Sequence, residues 1–274
     1  MPNETLQRLR QNITSVYMGN TTAVDRLLVC LIARGHILVE DVPGVGKTVL
    51  ASALARSLRG TFARIQCTPD LLPSDITGVT IFDRERQEFD FKPGPVFNNI
   101  IVADEINRTT PRTQSALLEA MNEESVSIDG TTRSLPQPFI VIATQNPYEF
   151  EGTYPLPENQ LDRFLMRFGL GYPAPSDEAR IVVNQPARSQ LKSLEPVVDG
   201  EEIVELQRRV DAVRIDQSLV DYILQLVTVT REHDDLLIGI SPRGSIALSQ
   251  AARATAVLAD RDYPARDFES RYGG

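Results

Sequence analysis

No stretch of the sequence approaches the roughly 20 consecutive apolar residues that would span a bilayer. The amino terminus, Met1-Pro2-Asn3-Glu4-Thr5, lacks both the charged start and the apolar run of a signal peptide. A cytoplasmic chain with no membrane span is expected. Basic residues are in deficit: 28 Lys and Arg against 37 Asp and Glu give a formal net charge of −9. That field opposes attraction to a phosphate backbone, so nucleic acid is a disfavoured partner. Cysteine is scarce. Cys30 and Cys67 stand in apolar or mixed contexts without metal-ligand spacing and are expected to be reduced, buried thiols. There is no low-complexity tract, no internal repeat, and no protease, nuclease or zinc signature.

What is present is the composition of an ordinary globular protein, 42% hydrophobic and 24% charged over 274 residues. A chain of this length favours one large domain with a smaller second one. Leu6, Leu9, Ile13, Val16 and Tyr17 recur at helical spacing, as do Val24, Leu27, Leu28, Leu31 and Ile32. Residues 36–40 then read as a buried strand that stops at a Gly-rich turn, followed by a helix from Lys47 with Leu50, Ala53, Leu54 and Leu58 on one face. Further strands are expected at 61–67, 99–103 and 139–143, with a helix carrying Leu117, Ala120 and Met121 between the last two. Strands alternating with helices predict an α/β fold whose parallel sheet is covered on both faces. Two β-hairpins break the alternation. One spans 76–81 and 88–91, and the other is 125–128 with 131–135 around the Asp129-Gly130 turn. Beyond the Pro/Gly-rich segment 169–175 every periodic signal is helical, which predicts a nucleotide-binding domain over 1–171 and a small helical domain over 176–274.

The strongest chemical signal is Gly44-Val45-Gly46-Lys47-Thr48, between a predicted strand and a predicted helix. Glycines let the backbone amides of such a loop turn toward phosphate, the lysine adds a positive charge, and the hydroxyl can face Mg²⁺. Pro43 to the amino side and Val49 to the carboxyl side complete the expected ATP-binding set. The full phosphate-loop pattern has glycine six residues before the lysine, where this chain has Asp41. Asp104-Glu105 ends the apolar strand that begins at Asn99. Strand ends of an open parallel sheet face the ligand crevice, so Asp104 is the candidate metal partner and Glu105 the candidate general base. An acidic pair in this place also suits a helix N-terminus. Asn146 ends the strand 139–143 region and is able to orient a water; it equally suits a turn before Pro147.

In order, Asp41-Val42-Pro43-Gly44-Val45-Gly46-Lys47-Thr48, Asp104-Glu105-Ile106-Asn107-Arg108, Leu117-Leu118-Glu119-Ala120-Met121, Ala143-Thr144-Gln145-Asn146-Pro147, Leu161-Asp162-Arg163-Phe164 and Ser241-Pro242-Arg243 resemble the MoxR family of AAA+ ATPases over nearly the whole chain. The resemblance implies a P-loop αβα sandwich with a parallel sheet plus a helical lid, working as a homo-oligomeric ring, usually a hexamer. It implies that Asn146 is the first sensor. Arg163 matches the arginine finger acting on a neighbour's ATP, with Arg167 as a nearby rival. Arg243 matches the second sensor, on the γ phosphate of its own chain's nucleotide. Arg163 could instead pair with Asp162 or Glu158, and Arg243 could serve a lid helix end. By the same resemblance, hairpin residues 83–87 and 128–132 lie on the working surface, and the polar stretch after Pro264 leaves a lid shorter than the family's.

The resemblance implies ATP hydrolysis with Mg²⁺, driving chaperone-like remodelling of partner complexes, typically proteins carrying von Willebrand factor A domains. Two readings from other classes stand beside it: a nucleotide-gated assembly module with little turnover, and a DNA-directed motor, which the acidic charge disfavours.

Overall fold

A computed structural model of the chain describes residues 2–42, 44–149, 151–184 and 190–264. The chain opens with two helices, α1 (Pro2–Val16) and α2 (Thr21–Ile32). Asn20 caps α2, its side-chain oxygen accepting the Thr22 N–H and satisfying one of the free amides of the first turn. Next come β1 (Ile37–Glu40), α3 (Lys47–Ser57), the two-residue β2 (Leu58–Arg59) and β3 (Phe62–Gln66). A one-turn helix α4 (Pro73–Thr77) leads into the hairpin of β4 (Gly78–Asp83) and β5 (Glu88–Pro93). Then follow β6 (Ile100–Asp104), α5 (Pro111–Glu123), the hairpin of β7 (Ser125–Ile128) and β8 (Thr131–Ser134), and β9 (Ile140–Gln145). The short α6 (Glu158–Leu161) precedes β10 (Met166–Phe168). The remainder is α7 (Pro175–Asn184), β11 (Val198–Asp199), α8 (Gly200–Ala212), α9 (Gln217–Glu232) and α10 (Pro242–Leu258). Among the described residues no helix is long and apolar enough to cross a membrane.

The main sheet has five strands in the order β10-β1-β9-β6-β3, and every pair is parallel. Its inner strands β1, β9 and β6 are buried on both faces, and alternate side chains serve opposite cores. Ile37, Val39, Ile100, Val102, Ile140 and Ile142 face one core, which they share with α1, α2, α3, α8 and α10. Leu38, Ile101, Ala103, Val141 and Ala143 face the other, with Leu117, Leu118, Ala120 and Met121 of α5. The result is three layers, α on β on α. Two of the C-terminal helices share the first core: Ile203, Leu206 and Val210 of α8 and Ala251, Ala254 and Val257 of α10 join Leu27, Leu28 and Leu31 of α2 there.

Four details differ from the sequence expectation. Leu58, expected on the face of α3, is already extended and belongs to β2, because the helix ends at Ser57. Ile76 lies in α4, and the first hairpin starts at Gly78. Gly78 and Gly94 press their backbones together at the hairpin base, where a Cβ on either would collide with the opposing chain. The strand β10 was not expected. Three residues are too few to register as a period. The C-terminal region, expected to be wholly helical, contains β11, which pairs in parallel with β2 in a separate two-stranded sheet. The second hairpin is as expected, with Asp129 and Gly130 both at positive φ, as a type I′ turn requires. The Arg133 guanidinium sits 4.1 Å from the Phe91 ring centroid and joins the two hairpins.

His36 ties three elements together at the amino end of β1. Its Nδ1 accepts the Val141 N–H at 3.0 Å, so Nε2 carries the proton and donates to the Met121 carbonyl, also at 3.0 Å. Burial pushes its pKa down to about 4, against the raising effect of the Met121 bond. Between that value and the ordinary 6.5 the unfolded chain binds the extra proton, so stability falls as pH drops through this window. On the order of 2 kcal/mol should be lost between pH 7 and pH 5 through this group. Thermal unfolding of His36→Gln should show a lower Tm at pH 7 and a flatter fall from pH 7 to 5 than the unaltered chain; an equal slope would remove His36 as the cause.

Candidate nucleotide-binding site

In a parallel sheet all strands end at one edge, and here β1, β9 and β6 are neighbours. The loop after β1, the acids after β6 and the polar end of β9 therefore meet in one crevice. Gly44 and Gly46 have φ of 91° and 98°, a region that favours glycine. Gly46 starts α3 without any side-chain cap, so the first-turn amides of Lys47, Thr48 and Val49 are left for an external acceptor. Val45 packs against the first core, and Tyr17, from the end of α1, lies 3.5 Å from where a Gly46 Cβ would stand. Pro43 lies outside the described residues. The Lys47 ammonium donates to the carbonyls of Asp41 at 2.5 Å and Gln145 at 3.1 Å. Burial lowers its pKa, while Asp41, Glu105 and Asp104 act in the opposite direction.

Asp104 is the buried last residue of β6. Its Oδ1 lies 3.4 Å from the Thr48 hydroxyl and 3.3 Å from the Thr144 hydroxyl, and its Oδ2 accepts Arg64 Nε at 2.6 Å. Two hard oxygen donors, Thr48 and Asp104, thus stand beside the helix N-terminus, which suits a Mg²⁺ ion held through few protein ligands and several waters. Glu105 adopts left-handed backbone angles, φ 58° and ψ 51°, costly for a non-glycine residue and characteristic of functional sites. Its N–H donates to the Thr144 hydroxyl at 3.0 Å. Its carboxylate accepts Gln66 Nε2 at 3.1 Å and pairs with Arg108 at 3.4 Å.

Sequence reasoning missed Arg64, Gln66 and Thr144. The first two sit at alternate positions of β3, an edge strand, so both side chains reach across to β6 from the same face. That i, i+2 pair of long polar residues within an apolar strand was the available signal.

Asn146 follows β9 directly and belongs to the crevice. Its side-chain oxygen accepts the Tyr148 N–H at 3.2 Å, forming a turn, and its carbonyl accepts Asn107 Nδ2 at 3.4 Å.

The arginines lie elsewhere. Arg163 makes no ion pair among the described residues, and its buried Nε has no hydrogen-bond partner. Asp162, one of its two expected partners, instead accepts the Ser241 hydroxyl at 2.9 and 3.1 Å. Arg167 is committed within the chain, to Glu40, which also accepts Gln145 Nε2. Arg243, in the first turn of α10, donates to Asn122 near the end of α5. Asn122 follows Met121, whose carbonyl is held by His36 ahead of β1. Arg243 is thus at the amino edge of the sheet, whereas the phosphate loop is at the carboxyl edge. The expected contact of Arg243 with its own chain's γ phosphate is corrected on this ground: packing of α10 against α2 and α8 carries its N-terminus to the opposite edge. Arg163, whose following Leu165 donates to the His36 carbonyl, lies at that same edge.

Residues 36–166 match the ATPase family associated with various cellular activities (AAA), and residues 228–267 match the AAA lid domain. The chain is 53% identical over 253 residues to the YeaC protein of Bacillus subtilis, a match covering 92% of this chain and 79% of that one. It is 43% identical over 272 residues to Chaperone MoxR1 of Mycobacterium tuberculosis, covering 94% of this chain and 71% of the relative. A candidate ATPase of known crystal structure from Cytophaga hutchinsonii superposes with a TM-score of 0.89 at 38% identity, covering 98% of this chain and 84% of that one. With the phosphate loop after β1, paired acids after β6 and helices on both sheet faces, these likenesses make the chain a member of the MoxR family of AAA+ ATPases.

Proposed function

We propose that the chain binds ATP with Mg²⁺ at the carboxyl edge of the sheet, hydrolyses it within a homo-oligomeric ring, and spends the cycle on chaperone-like remodelling of a partner protein. The reading is carried by one observation, the convergence of the uncapped start of α3 with Asp104 and Glu105. Residues 1–171 serve as the nucleotide-binding unit and 176–274 as the lid. Gly44 to Val49 line the phosphates, Lys47 exchanging its carbonyl partners for phosphate oxygens. When bound at Thr48 and Asp104, Mg²⁺ supplies neutralisation of charge on the phosphoryl oxygens. Glu105, held in position by Thr144 and its left-handed backbone, polarises the attacking water, and Asn146 helps to orient it.

Arg163 and Arg243 act on the nucleotide of a neighbouring subunit. Supporting this, both lie at the sheet edge away from their own phosphate loop, and the Ser241 to Asp162 bonds hold the two segments together. A ring, by family a hexamer, supplies the neighbour. The tips of the hairpins, 83–87 and 128–132, face the client, for which the family suggests a protein with a von Willebrand factor A domain. The word chaperone in the name of the Mycobacterium relative agrees with this role. Cytoplasmic location fits an ATP-consuming cycle.

Glu105→Gln should retain ATP binding while turnover falls by at least about 10²-fold, as expected for loss of a general base. ATP retained after gel filtration, alongside phosphate release, measures both; full turnover by this variant would refute the assignment. Arg163→Ala should lower turnover by on the order of 10³-fold with little change in ATP affinity. Mixing it with Glu105→Gln subunits, which carry an intact Arg163, should restore phosphate release. Arg167→Ala should alter turnover within about threefold, because its guanidinium is held by Glu40 of its own chain and supplies no arginine to a neighbour's phosphates. Failure of the mixture to recover activity would rule out action between subunits.

A further inference from the structure

Asp41 occupies the position where the phosphate-loop pattern has glycine, and its side chain has a definite job in the fold. Oδ1 accepts its neighbour's amide, Val42 N–H, at 2.8 Å. Oδ2 accepts two successive amides from the segment that leaves the sheet, Leu170 N–H at 2.8 Å and Gly171 N–H at 2.7 Å. Adjacent amides converging on one oxygen form a small anion-binding nest. Its shape depends on glycine. Gly171 has φ +68°, and a Cβ on Gly169 would stand 3.3 Å from Asp41 Oδ2 and 3.2 Å from the Glu40 carbonyl. The Gly169-Leu170-Gly171 sequence, which reads as a bare linker, is thus a receptor for one carboxylate.

The other side of the same residue faces the nucleotide site. The Asp41 carbonyl accepts Lys47 Nζ at 2.5 Å. Lys47 is the residue whose ammonium phosphate would attract, so a bound nucleotide competes for the partner of the Asp41 carbonyl. Leu170 is buried in the first core, and the chain continues from Gly171 to α7, the first of the C-terminal helices. Tyr17 completes the surroundings: its phenol is pushed up to about 12 by burial and by the negative charge of Asp41.

We infer that Asp41 is a positioning residue that couples the phosphate loop to the segment joining the sheet to the C-terminal helices, so that nucleotide arriving at Lys47 is felt at Leu170 and Gly171. The inference rests on the phosphate-loop reading above. Charge-assisted bonds to backbone amides are short and directional, so a shift of the Asp41 backbone is passed to both amides together. A glycine at position 41 would leave the loop free to form, as the pattern itself carries glycine there, but would cut this link.

The test uses the full chain, Asp41→Gly and the conservative Asp41→Asn, with a non-hydrolysable ATP analogue and Mg²⁺, and follows amide hydrogen exchange of the segment containing Leu170 and Gly171. In the unaltered chain the analogue should change exchange there severalfold. In Asp41→Gly, exchange without analogue should be faster by about tenfold or more and indifferent to the analogue at saturating concentration. Asp41→Asn, which keeps an acceptor oxygen, should retain part of the response. An analogue response at 170–171 that survives in Asp41→Gly overturns the coupling, as does analogue binding to the unaltered chain with no response there. If the unaltered chain binds no analogue, the phosphate-loop reading falls and the coupling with it, an outcome distinct from the other two.

Discussion

Parallel pairing sends every strand of the sheet to end at the same edge, and the chemistry of this chain depends on that constraint. With β1, β9 and β6 side by side, three loops remote in sequence meet without any long-range search. The alternating burial of these strands holds the edge in place, since a one-residue slip would turn Ile101, Ala103 and Val141 out of one core and Ile100 and Ile140 out of the other. Asp104 is buried because β6 is central, and a buried carboxylate requires a partner. Arg64 provides it from the adjoining edge strand.

The same constraint explains why one chain carries only half of the expected catalytic set. Groups placed after strand ends share the carboxyl edge; groups placed before strand starts share the amino edge. Arg163 precedes β10 and Arg243 is drawn to the end of α5, so neither can be moved to the phosphate loop by small adjustments of side chains. For two sites at opposite edges of one rigid sheet, contact between copies is the economical way to bring them together.

Legibility followed the range of the physical signal. Gly44, Gly46, Lys47 and Thr48 could be read because their roles are local: a loop conformation and a helix start. The buried strands β1, β6 and β9 could be read because each is a continuous apolar run. Arg64 and Gln66 could not be assigned, because their partners lie about 40 residues away and are set by strand order, which periodicity does not encode. The cis placement of Arg243 failed for a related reason. The apolar face of α10 was visible in its alanines, but not the helix that face would meet, and that choice decides which edge of the sheet its first turn approaches. Asp41 read as a blemish in a motif, and only the return of the chain at Leu170 and Gly171 gives the carboxylate a purpose.

The site also carries an electrostatic condition on how tightly nucleotide can be held. Lys47 already donates to two carbonyls, Asp104 already accepts from Arg64, and Glu105 already has Gln66 and Arg108. Binding at such a site is an exchange of partners, so its free energy is a difference between sets of comparable hydrogen bonds. The uncapped amides of α3 are the exception, since they have no side-chain partner to give up. Affinity should therefore rest mainly on those amides and the helix dipole behind them, while the exchanged side chains contribute selectivity for the state in which metal and phosphate arrive together.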